Sequence, residues 1–181
     1  INLFSNISYN NGGSPGIFDS DITYLTNNII DSTRIENREY KRNRKGLNAN
    51  IGLEYFINER SSITASIFLK DSNEQNISTN TISSFDISDN NLYNSRRIQD
   101  EREKNKTSQF SLNYVNNFSK KGHQLTVDIQ HSENRENDAA IITDVNPETS
   151  STDRFSKSLL IQTDYVLPVG KNAQFEMGYR G

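Results

Sequence analysis

The segment FDISDNN near the middle of the chain holds several oxygen-bearing side chains close together. Asp86, Asp89, Asn90 and Asn91 offer carboxylate and amide oxygens, which are the ligands that Ca²⁺ takes from proteins. Their spacing does not match the EF-hand loop, and short runs of Asp and Asn are typical of polar turns. We therefore interpret the segment as a turn and predict no metal site.

Histidines and carboxylates are the side chains best suited to acid–base catalysis. His123 and His131 are the only 2 histidines, and on an extended strand with ~3.3 Å per residue they are too far apart to share a metal. Neither stands near a nucleophile in a recognisable elbow. Asp128 and Asp164 fall on one polar strand face and could pair, but two carboxylates on a wet wall are weak support for acid–base catalysis. We predict no enzyme activity and no cofactor.

The composition is unusual for a soluble domain of 181 residues. Hydrophobic residues make up 32% and the mean hydropathy is -0.80, whereas globular domains carry ~45–50% apolar residues on a slightly different grouping. Either the chain is largely disordered, or its strands need only one apolar face each. The net charge of -3, from 20 basic and 23 acidic residues, weighs against nucleic-acid binding. The lack of cysteine excludes disulfides and thiolate metal sites within these residues.

The pattern of the segment Thr107–His131 favours β-strands over disorder. Apolar residues alternate with polar ones before and after a short turn at Ser119–Gly122. Alternation with a period of two on both sides of a Gly-containing turn predicts a β-hairpin with one apolar and one hydrated face. Similar alternating segments recur along the chain and give about seven strands. The predicted fold class is all-β.

The connections between these segments alternate in predicted length. Long polar connections are predicted at Asn11–Thr33, Asp71–Asn91 and Ser132–Thr152. Short turns are predicted at Asn58–Ser61, Ser119–Gly122 and Pro168–Ala173. In an antiparallel up-and-down meander, every second connection lies at the same end of the sheet. Short turns at one rim and long loops at the other are typical of a transmembrane β-barrel of the outer membrane, whereas a soluble sandwich has less reason to sort its loops.

Alternate residues of each predicted strand point to opposite faces, and we assign one face to lipid and the other to a water-filled lumen. The membrane-facing residues are predicted to be Leu47, Ala49, Ile51, Leu53, Tyr55, Ile63, Ala65, Ile67, Leu69, Phe110, Leu112, Tyr114, Leu125, Val127, Ile129, Leu159, Ile161, Tyr165, Leu167, Phe175 and Met177. The lumen-facing residues are predicted to be Asn48, Asn50, Glu54, Lys70, Asn113, Thr126, Asp128, Gln130, Gln162 and Asp164. Four apolar residues fall on the lumen parity against the pattern, namely Phe56, Phe68, Val115 and Leu160.

Aromatic and charged residues mark the two ends of the predicted strands. Tyr55, Phe118 and Tyr165 fall near the short turns, where an aromatic girdle is expected. The segments Arg34–Lys45 and Arg96–Lys106 are dense in charges of both signs. They could contact lipopolysaccharide phosphates or an anionic ligand. The favoured interpretation is cross-strand charge pairing on solvated extensions, and for the second segment a solvated helix is the alternative.

The chain shows neither a signal peptide nor a run of ~18 apolar residues that would form a transmembrane helix. We predict that residues 1–181 form one partial barrel domain without a plug. Seven strands would leave two open edges, which an isolated soluble protein would have to cover.

Three phrases carry a resemblance to a known family: GLNANIGLEYFINERSSITASI, NYVNNFSKKGHQLTVDIQHS and QTDYVLPVGKNAQFEMGYRG. They resemble the outer-membrane β-barrel family of TonB-dependent-receptor-like proteins, which are common in Bacteroidota-type Gram-negative bacteria. The resemblance implies that Phe118–Leu125 marks a periplasmic turn and that Tyr165–Gly181 marks a later one. It also implies a larger barrel closed around a plug domain, which an inner-membrane energy complex pulls during uptake.

The favoured function is that of a receptor or transporter for energy-coupled uptake across the bacterial outer membrane, with lipid and lipopolysaccharide as surroundings and an unidentified ligand. A structural or assembly barrel of a surface or secretion complex is the second hypothesis. A soluble β-rich adhesin or binding module is the third, and it predicts apolar faces that pack on each other.

Overall fold

The computed structural model describes residues 1–88, 90–170 and 173–181, and within them the chain forms seven long β-strands. Because Asn, Ser and Thr alternate with apolar residues over long stretches, neighbouring strands can pair over their whole length while each face keeps its own character. The strands are β1 (Asn2–Thr26), β2 (Ile29–Asn58), β3 (Ser61–Asp86), β4 (Asn91–Asn117), β5 (Gln124–Thr143), β6 (Glu148–Val169) and β7 (Ala173–Arg180).

The strands form one antiparallel meander in the order β1-β2-β3-β4-β5-β6-β7. This confirms the all-β up-and-down prediction and the number of strands. Among the described residues, β1 and β7 form the two edges and do not pair with each other. The same residues contain no helix that is long and apolar enough to cross a membrane.

The predicted long connections are wrong. Asn11–Thr26 continues β1, and most of Asp71–Asn91 and Ser132–Thr152 likewise belongs to paired strands. The predicted alternative of a helix at Arg96–Lys106 is also wrong, because this segment lies within β4. These stretches lack an apolar parity, so periodicity could not reveal them, but their backbones are held by the neighbouring strands.

All the described connections are tight, at both ends of the sheet. We call the end with the turns after Asn58, Asn117 and Val169 the near rim, and the opposite end the far rim. At the far rim, Asn27 and Asn28 both have positive φ, at 54° and 64°, as a two-residue type I′ hairpin requires. At the near rim, Gly122 has a φ of 81°. The Ser119–Gly122 turn is confirmed; in the Pro168–Ala173 turn, Lys171 and Asn172 lie outside the described residues.

The apolar side chains of the sheet are exposed, in contrast to those of a soluble domain. Within the described part of the chain, no hydrophobic side chain is buried. Ile51, Ile67 and Leu159 are 57%, 51% and 60% exposed, whereas Asn50 and Gln109 on the opposite parity are only partly exposed. No second sheet covers the apolar residues among those described, so the packed faces that a soluble sandwich predicts are not observed.

Candidate functional site

The register of the sheet brings all the predicted membrane-facing residues to one face, which we call the apolar face. One cross-strand row runs through Leu53, Ala65, Leu112, Ile129 and Ile161. The rows beside it contain the other predicted residues, including Phe175 and Met177 on β7. The predicted lumen-facing residues share the opposite face, which we call the polar face. Which face meets lipid stays a prediction.

The far-rim boundary of the apolar band is slanted from β2 to β5. The last apolar residue of the unbroken apolar run is Leu47 on β2, Leu69 on β3, Phe110 on β4 and Ile129 on β5. In the register, each lies two residues nearer the near rim than the one before. A slant is expected when strands cross a flat membrane at the ~35–45° tilt of a barrel. From β2 to β5, the boundary therefore has the slant expected where tilted strands cross a flat layer.

An aromatic cluster closes the near rim on the apolar face. The Phe118 ring stacks on His123 with 3.9 Å between ring centroids, and Tyr165 lies edge-on to both. His123 Nε2 is 2.9 Å from the Tyr165 hydroxyl. Amphipathic rings of this kind favour the membrane–water interface. The cluster is the arrangement that the predicted girdle requires, and it gives His123 a positioning contact that its sequence context did not reveal.

On the polar face, at the level of the apolar band, carboxylates accept hydrogen bonds from amide side chains. Asp128 accepts a hydrogen bond of 2.6 Å from the Asn113 side chain, and Asp164 accepts one of 2.7 Å from Gln162. The two carboxylates share a face, but each has its own amide partner. On the other face, His131 Nε2 is 3.6 Å from Glu133. The polar residues therefore form hydrogen-bonded pairs along the wall.

Beyond the apolar band, the polar face carries a network of arginines and glutamates. Glu74 contacts Arg44 at 2.9 Å and Arg42 at 3.2 Å. Glu36 contacts Arg34 at 3.4 Å and Arg38 at 3.5 Å. The Glu74 contacts cross from β2 to β3, as the favoured interpretation of cross-strand charge pairing predicts, whereas the Glu36 contacts lie within β2. Such exposed pairs each contribute only about 0–1 kcal/mol.

A groove of about 620 Å³ lies on this network near the far rim. Arg38, Tyr40, Arg42 and Arg97 supply cationic and aromatic groups, and the remaining lining is mostly amide and hydroxyl. The Oδ1 atoms of Asn76 and Asn80 are buried in it and have no hydrogen-bond partner among the residues that the structure describes. Unsatisfied buried acceptors are costly, so a ligand that donates hydrogen bonds would gain by meeting them. Sequence reasoning missed this groove because its residues come from four strands that only the register aligns.

Three carboxylates on the polar face lie close together. Oxygens of Glu103, Glu136 and Asp138 lie within 4.8 Å of one another. Arg154, however, contacts Glu136 at 3.0 Å and Asp138 at 3.9 Å. The guanidinium supplies the positive charge that a cation would otherwise bring, so the group fits an ion-pair network on the wall.

Asp86 acts within the turn that the sequence indicated. Its carboxylate accepts hydrogen bonds from the Asn90 side chain at 2.9 Å and from the backbone N–H groups of Ser88 and Asn90 at 2.8 and 2.9 Å. These bonds, led by the Asn90 side chain, hold the pKa of Asp86 below its ordinary value. Asn91 donates to Asn94 at 2.9 Å, and Asp89 lies outside the described residues. The oxygens thus organise the turn.

The apolar face carries cations just beyond the band, in an arrangement that the sequence did not reveal. The Arg135 guanidinium lies 5.0 Å and the Lys157 ammonium 5.1 Å from the centroid of the Phe155 ring. Lys106 lies directly opposite Arg135 in the register, and Lys104 follows on the same strand. We call Lys104, Lys106, Arg135 and Lys157 the cationic cluster. It was missed because Lys104 and Lys106 come from one charged segment, Arg135 from a predicted connection and Lys157 from another strand, and only the register brings them together.

Comparison with known proteins gives one family. Residues 116–181, a little over a third of the chain, match the outer membrane protein beta-barrel family. The match begins at the last residues of β4 and covers β5, β6 and β7 with the aromatic cluster at the near rim. None of the curated proteins matches the chain. The family match gives the bacterial outer membrane as the chain's location, and it agrees with the exposed apolar side chains of the sheet.

Proposed function

We propose that this chain is part of the wall of an outer-membrane receptor that takes up a ligand by energy-coupled transport. The proposal goes beyond the outer-membrane barrel of the family match, and it assigns the protein no enzymatic role. In this mechanism the far rim faces the medium, because barrel strands extend further on the extracellular side than on the periplasmic side. A plug domain fills the lumen and rearranges when the inner-membrane energy complex pulls on it.

The observation that carries the proposal is the groove on the polar face. It combines three arginines, the aromatic rings of Phe18 and Tyr40, and two buried amide oxygens without partners among the described residues, at the end of the wall away from the apolar band. A barrel with only a structural role needs a hydrated inner face, but it has no use for buried acceptors left unsatisfied. A ligand that carries hydroxyl or amide donors would satisfy them.

The energy coupling is tested by cross-linking in whole cells. The full-length protein, with a photoreactive residue in its periplasmic segment before the barrel, is irradiated and probed for the inner-membrane energy complex. An adduct that disappears when the complex is deleted supports the transporter. A correctly folded outer-membrane protein, recognised by its heat-modifiable gel mobility, that forms no adduct would contradict it.

The second candidate is a structural or assembly barrel of a surface complex. The Arg–Glu network of the polar face favours it, since paired charges stiffen a wall that binds nothing. In the same irradiation experiment this candidate predicts adducts with outer-membrane or surface proteins alone. Deleting the gene would then change the abundance of those proteins and leave ligand uptake unchanged.

A further inference from the structure

We propose that the cationic cluster on the apolar face binds a phosphate of lipopolysaccharide, the glycolipid of the outer leaflet. The inference rests on the outer-membrane location and on the orientation given above, but it does not require that the barrel transports anything. The site is formed by Lys104, Lys106, Arg135 and Lys157 around the ring of Phe155.

The position of the cluster along the strands is the first argument. On the apolar face of β4, the residues beyond Phe110 are Ser108, Lys106 and Lys104. Lys106 thus follows the last apolar residue by four positions, roughly 13 Å along a strand. A strand tilted at ~45° rises less than this, and the polar headgroup layer adds about 5–8 Å on each side of the hydrocarbon. Arg135 follows Ile129 on β5 by six positions and Lys157 follows Leu159 on β6 by two. The cluster therefore extends from the height of the headgroups to that of the sugars next to them.

The charges of the cluster are the second argument. Lys106 and Arg135 form a directly opposed cross-strand pair of like charges, which is destabilising unless an anion lies between them. Asp71 contacts Lys106 at 3.5 Å, and Glu133 contacts Lys157 at 2.8 Å. Arg135 and Lys104 have no carboxylate within ion-pair distance in the described ranges, and both are exposed. The site keeps an excess of positive charge.

The Phe155 ring is the third argument. It is 52% exposed on the apolar face and lies between two cations, one from β5 and one from its own strand. The ring and the stems of Arg135 and Lys157 offer an apolar surface beside the charges. A phosphorylated sugar at the head of acyl chains matches this combination, because its phosphate meets the guanidinium while its ring lies on the aromatic. Arg135 can bind such a phosphate with two parallel hydrogen bonds.

The test uses the full-length protein, delipidated and refolded in detergent. Binding is measured for purified lipopolysaccharide, for the same material after enzymatic dephosphorylation, and for detergent micelles containing an anionic phospholipid. The cluster variant is K106Q/R135Q. The matched control is K41Q/R96Q, which removes the same charge from the same face much nearer the far rim. Heat-modifiable mobility verifies that each variant has formed its barrel.

We expect wild type and control to bind phosphorylated lipopolysaccharide alike, and the cluster variant to bind about tenfold more weakly, since each lost charge contact contributes up to ~1 kcal/mol. F155L should weaken binding by a smaller factor. Equal binding by the cluster variant, or equal binding of the dephosphorylated glycolipid, would overturn the proposal. So would binding of the phospholipid as tight as that of lipopolysaccharide. Each result can be obtained whether or not the cross-linking experiment finds an energy complex.

Discussion

The near and far halves of the same strands differ in what their side chains do, although one continuous ladder of backbone hydrogen bonds runs through both. In the near half, one face is apolar from β2 to β7 and the other is amide-rich. In the far half both faces are mostly polar, and the polar face carries Arg–Glu contacts such as Arg44–Glu74 at 2.9 Å. The backbone ladder fixes the strand, and the solvent beside each half decides which side chains it tolerates.

The largest expected difference between the halves is in access from outside the cell. The 181 residues contain no cysteine, so single cysteines can be placed at Ser88 in a far-rim turn and at Lys121 in a near-rim turn. S88C should react with a membrane-impermeant maleimide on intact cells, whereas K121C should react only after the outer membrane is permeabilised. The reverse pattern would invert the orientation, and it would place the cationic cluster in the inner leaflet.

Arginine substitutions on the two faces of the near half should differ in their effect on the unfolding free energy. L112R puts a cation in the middle of the apolar band, and the expected cost in unfolding free energy is ~2–4 kcal/mol, as for a charge at the bilayer midplane. N113R adds the same side chain to the polar face one residue away and should cost far less. Urea unfolding in lipid vesicles measures both. I141R, which is on the apolar face of the far half, is the control and should change little.

The assignment of lipid and lumen faces depends on this result. If L112R and N113R destabilise the barrel equally, the two faces do not meet different solvents. If I141R is as costly as L112R, the apolar layer extends much further along the strands than the side chains indicate.

A smaller effect is expected from the Arg–Glu network of the far half. E74Q removes the shared partner of Arg42 and Arg44 and should lower the unfolding free energy by about 0.5–1 kcal/mol. E103Q changes the charge directly opposite Glu74 and relieves a like-charge pair, so it should be neutral or slightly stabilising. Thermal melting in low salt measures the difference, which should shrink in 1 M salt, where the screening length is ~3 Å. Equal effects would show that the network contributes only net charge.

The smallest effect is confined to one far-rim turn. Hydrogen bonds from Asn90 and Ser88 lower the pKa of Asp86, so the folded turn binds a proton less readily than the unfolded chain. The stabilisation is present above the ordinary Asp value of ~3.9 and is lost as the pH falls through the lower value in the folded turn. Carboxyl NMR should show this low value in the wild type. N90A should raise it, and titration of the wild type at the ordinary value would contradict the bonding.

Sequence patterns predicted the near half well and the far half poorly, for one physical reason. Ile63, Ala65 and Ile67 alternate with polar residues because one face needs apolar side chains, and this alternation can be read from the chain alone. Segments such as Asn11–Thr26 meet water on both faces, so nothing in their pattern separates a strand from a loop. Their pairing is non-local.

The candidate sites show the same limit. The aromatic residues Phe118 and Tyr165 were predicted near the short turns from local spacing. The partners of Phe155 and the lining of the groove depend on register between distant segments, which periodicity cannot supply. The His123 contact with Tyr165 was missed for the same reason, since the two residues are 42 positions apart.

The two open edges of the sheet have a consequence for how this wall enters a membrane. Along β1, alternate N–H and C=O groups point away from β2, and in hydrocarbon each unsatisfied group costs several kcal/mol. A strand crosses the hydrocarbon with ~9–11 residues, so an uncapped edge would leave several such groups unsatisfied. The sheet therefore cannot be delivered hairpin by hairpin into bare lipid. Biogenesis must keep these edges paired with other strands, or held by an assembly factor, until the last seam is closed.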